Sequence, residues 1–310
     1  MRHSLRTAGP RQQRGVSLIE LMIAMIIGLV VTGALLAMFG GMQRNYRLAE
    51  ASSTLQEDAR YAAEVFSSSL RAAGYTGCGG GEDGEIFRDD DDDNIQSLAT
   101  RLVNGEVIQQ TDDDSFSLLS PSSASYRVTG VNSDSLTMEL GNDDPQLNWR
   151  NGNVVLVNDC NNMALVEIGE DFTLSASASG SVDVNAEGLD SLEVATNSPA
   201  IAVRVEEREF RLDGDGVLRF NGSPTFSGIE SIQLLYGISD DAQSVDRFVR
   251  HGSLGNEEIL AVRFELLLRS ENDVLASPGE QAYFFDGAMR QANDRRLRYA
   301  IGGTVWLRNH

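Results

Sequence analysis

The stretch RGVSLIELMIAMIIGLVVTGALLAMFGGM, residues 14–42, decides how this chain is organised. From Val16 to Met42 it is almost wholly apolar or small. As a helix rising about 1.5 Å per residue it spans roughly 40 Å, enough to cross a bilayer. Residues 1–15 carry four arginines (Arg2, Arg6, Arg11, Arg14) and no acid. Such a flank stays cytoplasmic while the bulk of the chain crosses. The run is too long for the core of an ordinary secretory signal. It also holds one carboxylate, Glu20, in otherwise pure hydrocarbon, at a cost of about 2.5–3.5 kcal/mol on insertion scales. A charge there needs a partner. A cut after Gly15 creates one, a new α-amine on Val16, which on a neighbouring subunit pairs with Glu20 and sets the axial register.

The helix is expected to continue past the apolar run. Leu48, Leu55, Ala59, Ala62, Phe66 and Leu70 recur at mostly three- and four-residue steps and mark one face of an amphipathic helix. Gly74 supplies the stop. The spacing predicts one helix over 16–73, its first half (16–42) in membrane or fibre core and its second half packed on a globular head, residues 74–310.

The formal charge is −21, with 46 acids and 25 basic residues, all arginine. Without residues 1–15 the chain stands at −25. Such a surface repels nucleic acid, so direct DNA binding by the head is not expected. Two readings of the missing lysine stay open: a salt-adapted acidic surface, or arginine-biased codons. The two cysteines, Cys78 and Cys160, read as one disulfide in an exported head. It closes a loop of about 80 residues and stabilises by roughly 4–5 kcal/mol in the chain-entropy model. Two buried free thiols are the alternative.

Beyond residue 115, short runs separated by Asn, Asp, Gly and Ser read as strands. They are 115–119, 125–131, 135–140, 153–157, 163–168, 201–212, 217–220, 229–236, 259–269 and 304–308. Asp213-Gly214-Asp215-Gly216 reads as a hairpin loop in preference to a calcium loop. Gly74–Gly81 and the acidic run Asp89–Asp93 read as loop, and Gly180–Glu187 as a loop or break. Tyr283-Phe284-Phe285 reads as a core strand. The fold class is α+β: a long N-terminal helix on an antiparallel, β-rich head.

Arg14-Gly15-Val16-Ser17-Leu18-Ile19-Glu20-Leu21 resembles the class III signal of type IV prepilins. The resemblance implies cleavage between Gly15 and Val16 by prepilin peptidase, N-methylation of Val16, and a role for Glu20 in assembly. Val16 departs from the usual Phe. The body resembles the PilW-type minor pilins through Gly74-Tyr75-Thr76-Gly77-Cys78, Asn153–Cys160 (ending Asp-Cys), Gly228–Gly237, Val262–Ser270 and Arg296-Leu297-Arg298 to Asn309. It implies a type IV pilin fold and a low-copy subunit that primes pilus assembly in support of twitching motility, adhesion or DNA uptake. Implied partners are other minor pilins and the major pilin, through N-terminal helices, with prepilin peptidase and the inner membrane. The head is then periplasmic before assembly and at the cell surface after it.

A head of about 235 residues is large for a repeating shaft. A type II secretion pseudopilin shares the N-terminus and is the rival reading; a pilus-borne adhesin is another. An enzyme is not expected. His3, His251 and His310 are the only histidines, and no nucleophile elbow, His-Glu-x-x-His or phosphate loop is present. No cofactor or metal is expected.

Overall fold

Gly74 takes a left-handed backbone, φ +70°, and its N–H donates to the Leu119 carbonyl at 2.9 Å. The first helix therefore stops where the sequence places the stop. In the computed structural model, residues 17–75, 86–87, 93–103, 106–132, 135–140, 147–158, 163–173, 180–187, 200–240, 244–255 and 258–307 are described. Helix α1 covers Leu18–Ala72 without interruption, Gly40-Gly41 included. The chain divides into two units, Met1–Ser52 and Ser53–His310.

In the first unit, α1 is long and apolar enough to cross a membrane, and its apolar window buries nothing. Leu18, Ile19, Met25, Leu29, Leu36 and Phe39 are all exposed. Leu48 also belongs here, at 36 % exposure, and so is not part of the packed face its spacing suggested.

The second unit begins with the rest of α1. Next come β1 (Ile86–Phe87), α2 (Asp93–Val103), β2 (Ile108–Asp112), β3 (Ser115–Asn132), β4 (Ser135–Leu140) and β5 (Asn148–Trp149). Then follow β6 (Val154–Asn158), β7 (Met163–Ile168), β8 (Phe172–Thr173), β9 (Gly180–Glu187) and β10 (Ala200–Leu212). The last third adds β11 (Val217–Phe220), β12 (Ser223–Ser227), β13 (Ile229–Ser239), β14 (Arg247–Val249), β15 (Glu258–Arg269), β16 (Ala282–Phe285), β17 (Ala288–Gln291) and β18 (Arg298–Trp306).

These strands build two bodies on one backbone. Strand β10 pairs with β3 along both lengths, from Arg211↔Ser115 to Ala200↔Val128, with a register shift between Val203 and Val205. Beyond the shift β10 also pairs with β6. The pairings β6–β7, β7–β9, β9–β4 and β4–β3 then return to the start. Six antiparallel strands thus close into a small barrel, which leaves no free edge within it. Its interior holds Tyr126, Val128, Leu136, Met138, Val155, Val157, Val166, Val184 and Trp149. Tyr126 and Trp149 meet edge to face at 5.6 Å. Strand β6 is buried on both faces, because Val154 and Leu156 turn outward onto Ile95 and Ala99 of α2. This is why Val154–Val157 reads as a continuous apolar run instead of an alternating one.

On the other side of the shift, β3 and β10 join β2, β11 and β12. A separate sheet, ordered β14-β13-β15-β18, is antiparallel throughout. The C-terminal part of α1 lies in one core with both sheets. Leu55, Ala59, Ala62, Phe66 and Leu70 share it with Phe116, Leu118, Phe210 and Leu218 of one, and with Leu234, Tyr236, Val262, Phe264 and Val305 of the other.

Three further expectations are corrected. Gly180–Glu187 is a strand: its small polar residues complete the barrel wall, and Val184 faces the interior. Asp93 opens a helix whose Ile95 and Ala99 are buried; the preceding aspartates, 89–92, lie outside the described residues. Tyr283-Phe284-Phe285 is half of a two-stranded hairpin, with Phe285 buried and Phe284 55 % exposed.

Candidate assembly site

Glu20 sits in the first turn of α1, where the unpaired amides of a helix start favour a carboxylate. It is exposed, as are Leu18, Ile19 and Leu21 around it. The segment thus offers an apolar surface with one anionic point and no partner for either among the described residues. Gly15 and Val16 lie outside the described residues, as do Cys78 and Cys160, so the cut site and the disulfide are not placed.

The head is held on the helix by Phe66. Its ring centroid lies 5.2 Å from that of Phe210, 5.7 Å from Phe264 and 5.8 Å from Phe116. Two of those rings belong to one sheet and the third to the other, so one helical side chain ties three layers.

A second anchor is Arg298, buried at the start of β18. Its guanidinium donates to Asp294 at 2.6 and 2.9 Å and to Glu230 at 3.1 Å. Hydrogen bonds from Arg298 hold the Asp294 carboxyl down at about 2, and the Asp294 contact in turn raises the arginine. This is the arginine of the Arg296-Leu297-Arg298 element, and its work is structural. The Asp213 loop is structural too. Its carboxylate accepts from the amides of Val217 and Asp215 and from Arg219, and the Val217 bond leads in lowering its pKa. That saturated carboxylate closes the β10–β11 hairpin.

The outer face of the β14-β13-β15-β18 sheet carries an open groove of about 640 Å³, lined by Leu235, Arg263, Phe284, Asp286, Gly302 and Thr304 among others. Its wall is the β16–β17 hairpin, turned by Asp286 (φ 54°) and Gly287 (φ 70°). An Asp-Gly pair with both φ positive is a two-residue hairpin signal that the sequence reading passed over, as with Asn221-Gly222. Asp286 binds Arg250 at 2.5 Å and Arg290 at 3.0 Å. Its N–H donates to Glu265 at 2.8 Å. Arg263 stacks on Phe248 at 4.0 Å and is exposed. No group of three or more His, Cys, Asp or Glu side chains that could hold a metal ion occurs among the described residues.

A family model described as Type IV Pilus-assembly protein W matches residues 215–309, and the prokaryotic N-terminal methylation motif matches residues 10–36. The chain is thus type IV pilin-like at its N-terminal helix and PilW-like over its C-terminal third. The PilW match covers β11 to β18, the Arg298 anchor and the groove, and leaves out the barrel. No curated protein and no solved structure matches the chain. The methylation signal and the exposed apolar helix fit membrane anchoring of a pilin-like chain.

Proposed function

We propose that this PilW-type protein is a minor pilin, a low-copy subunit that primes type IV pilus assembly and so serves twitching motility, adhesion or DNA uptake. The observation carrying this reading is the exposed apolar segment of α1 with Glu20 in its first turn, on a chain whose second unit is a large two-bodied head. Residues 1–15 act as a leader, removed by prepilin peptidase between Gly15 and Val16, and Val16 is then N-methylated. Residues 16–42 cross the inner membrane and later pack among the N-terminal helices of other minor pilins and the major pilin. There Glu20 of one subunit meets the Val16 amine of the next. An unpaired carboxylate is penalised in that low-dielectric bundle, and a paired one is held in register. The head, residues 74–310, is periplasmic before assembly and at the surface after it, with Cys78 joined to Cys160.

The test is N-terminal sequencing of the membrane-extracted chain, with and without prepilin peptidase. The expected first residue is methylated Val16 in the first strain and the uncut terminus in the second. An identical terminus in both strains refutes the processing. Fibre counts in a deletion strain test the role: normal piliation without this chain refutes priming.

A further inference from the structure

Strand β18 ends its sheet, and among the described strands only β16 of the adjoining hairpin lies near its free side, without pairing with it. The Leu307 amide donates to the Leu260 carbonyl at 2.9 Å, and the β15–β18 register runs unshifted from Ala261↔Trp306 to Arg269↔Arg298. In an antiparallel pair, bonded and non-bonded residues alternate. Arg298, Ala300, Gly302, Thr304 and Trp306 therefore turn their N–H and C=O groups away from β15. At Arg298 the Gln281 side-chain amide takes both, accepting from its N–H and donating to its carbonyl, each at 2.7 Å. From Ala300 to Trp306 no described strand pairs with this edge.

The other outer edges of the two large sheets are blunted. Strand β14 has three residues, β12 contains Pro224, and β2 breaks register and runs into Asp112-Asp113-Asp114. These are the usual devices against edge pairing. Tyr299 to Leu307 contains no charge and no proline. Trp306 is 57 % exposed.

Charge selects the occupant. Residues 215–309 hold 13 acids and 10 arginines, against 33 acids and 11 arginines over 16–214. The C-terminal module is thus nearly neutral on a strongly acidic chain. One strand in from the edge stands Arg263 of β15, stacked on Phe248, whose Nε is 3.4 Å from Thr304 Oγ1 and which makes no ion pair among the described residues. A second copy of β18 brings no carboxylate to it, and two heads this acidic repel.

We infer that β18 receives an extended strand from a different pilin-type subunit, paired along Ala300–Trp306 and placing a carboxylate beside Arg263. Main-chain bonds give such a contact its affinity and alternate side chains its selectivity. The inference rests on the minor-pilin reading above.

The test places a photo-crosslinking residue at Ala300 of the full chain in its own cells, with Thr225 in β12 as control site. The expected adduct from Ala300 contains a pilin-type subunit, mapped by mass spectrometry to an extended segment of its head. Thr304→Pro removes an outward amide without touching the β15 ladder and should cut the yield at least about ten-fold. Trp306→Lys, which leaves the backbone unchanged, should do the same at normal abundance. An adduct with a second copy alone, or a yield both variants leave unchanged, overturns the proposal. Processing is read in the same extracts: a cut chain without the adduct sinks the edge proposal alone, and an uncut chain sinks the reading beneath it.

Discussion

Phe66→Ala is the sharpest probe of how the head is built. The side chain is 1 % exposed and touches three rings from two sheets. Truncating a buried Phe costs about 3–5 kcal/mol, part transfer and part cavity. Tilted ring contacts of this kind add about 0.5–1.5 kcal/mol each where they persist. Two sheets and a helix cannot all close on one gap, so the upper end, about 5 kcal/mol, is expected. That is a large share of a stability of about 5–15 kcal/mol. With a urea slope near 3 kcal/mol/M for the purified full chain in micelles, the unfolding midpoint falls by about 1.7 M. Far-UV circular dichroism follows it. Leu48→Ala is the matched control, exposed in the first unit, and should cost below about 0.5 kcal/mol. A Phe66→Ala shift under about 0.5 M, or one equal to the control, refutes the account of Phe66 as the tie between layers.

Gly302→Ala would place its Cβ 2.5 Å from the Phe264 carbonyl oxygen; backbone cannot give way cheaply, and a loss of about 1–3 kcal/mol is expected in the same urea assay. The Asp294 carboxyl titrates at about 2, below its ordinary 3.8, because Arg298 hydrogen-bonds it. Its stabilising contribution is therefore complete above about pH 4 and is lost as the pH falls through about 2. Asp294→Asn should lower the urea midpoint at pH 5 and bring it close to wild type at pH 2; an equal gap at both pH values counts against the assignment. Glu20→Gln should leave the cut after Gly15 intact on N-terminal sequencing and deplete the chain from sheared fibres; normal incorporation removes Glu20 from the register argument.

Much of this fold could be read in advance because its signals are local. The helix stop at Gly74, the strands 135–140, 163–168 and 217–220, and the Asp213–Gly216 hairpin all follow from short-range periodicity and turn chemistry. What escaped reading was decided by partners distant in sequence. Gly180–Glu187 is polar enough to pass for a loop; it is a strand because β4 and β7 stand on either side of it. Helix α2 hides behind an aspartate run, and the outer faces of β6, β7 and β10 give Ile95 and Ala99 a place to bury. Leu48 keeps the helical spacing but has no sheet beneath it. Of the candidate assembly site, Glu20 stands out in the sequence as a lone carboxylate in an apolar run. The open edge at β18 does not, since an edge is defined by which strands fail to arrive.

The two long strands have a mechanical consequence. Strands β3 and β10 pass from the layer against α1 into the barrel wall without a linker. Force applied along them meets a row of backbone bonds in shear, all of which must fail together, where a hinge would have let bonds open one at a time. A chain built this way cannot shed tension by swinging its barrel aside, so a load taken up at the barrel is borne by the layer that grips Phe66.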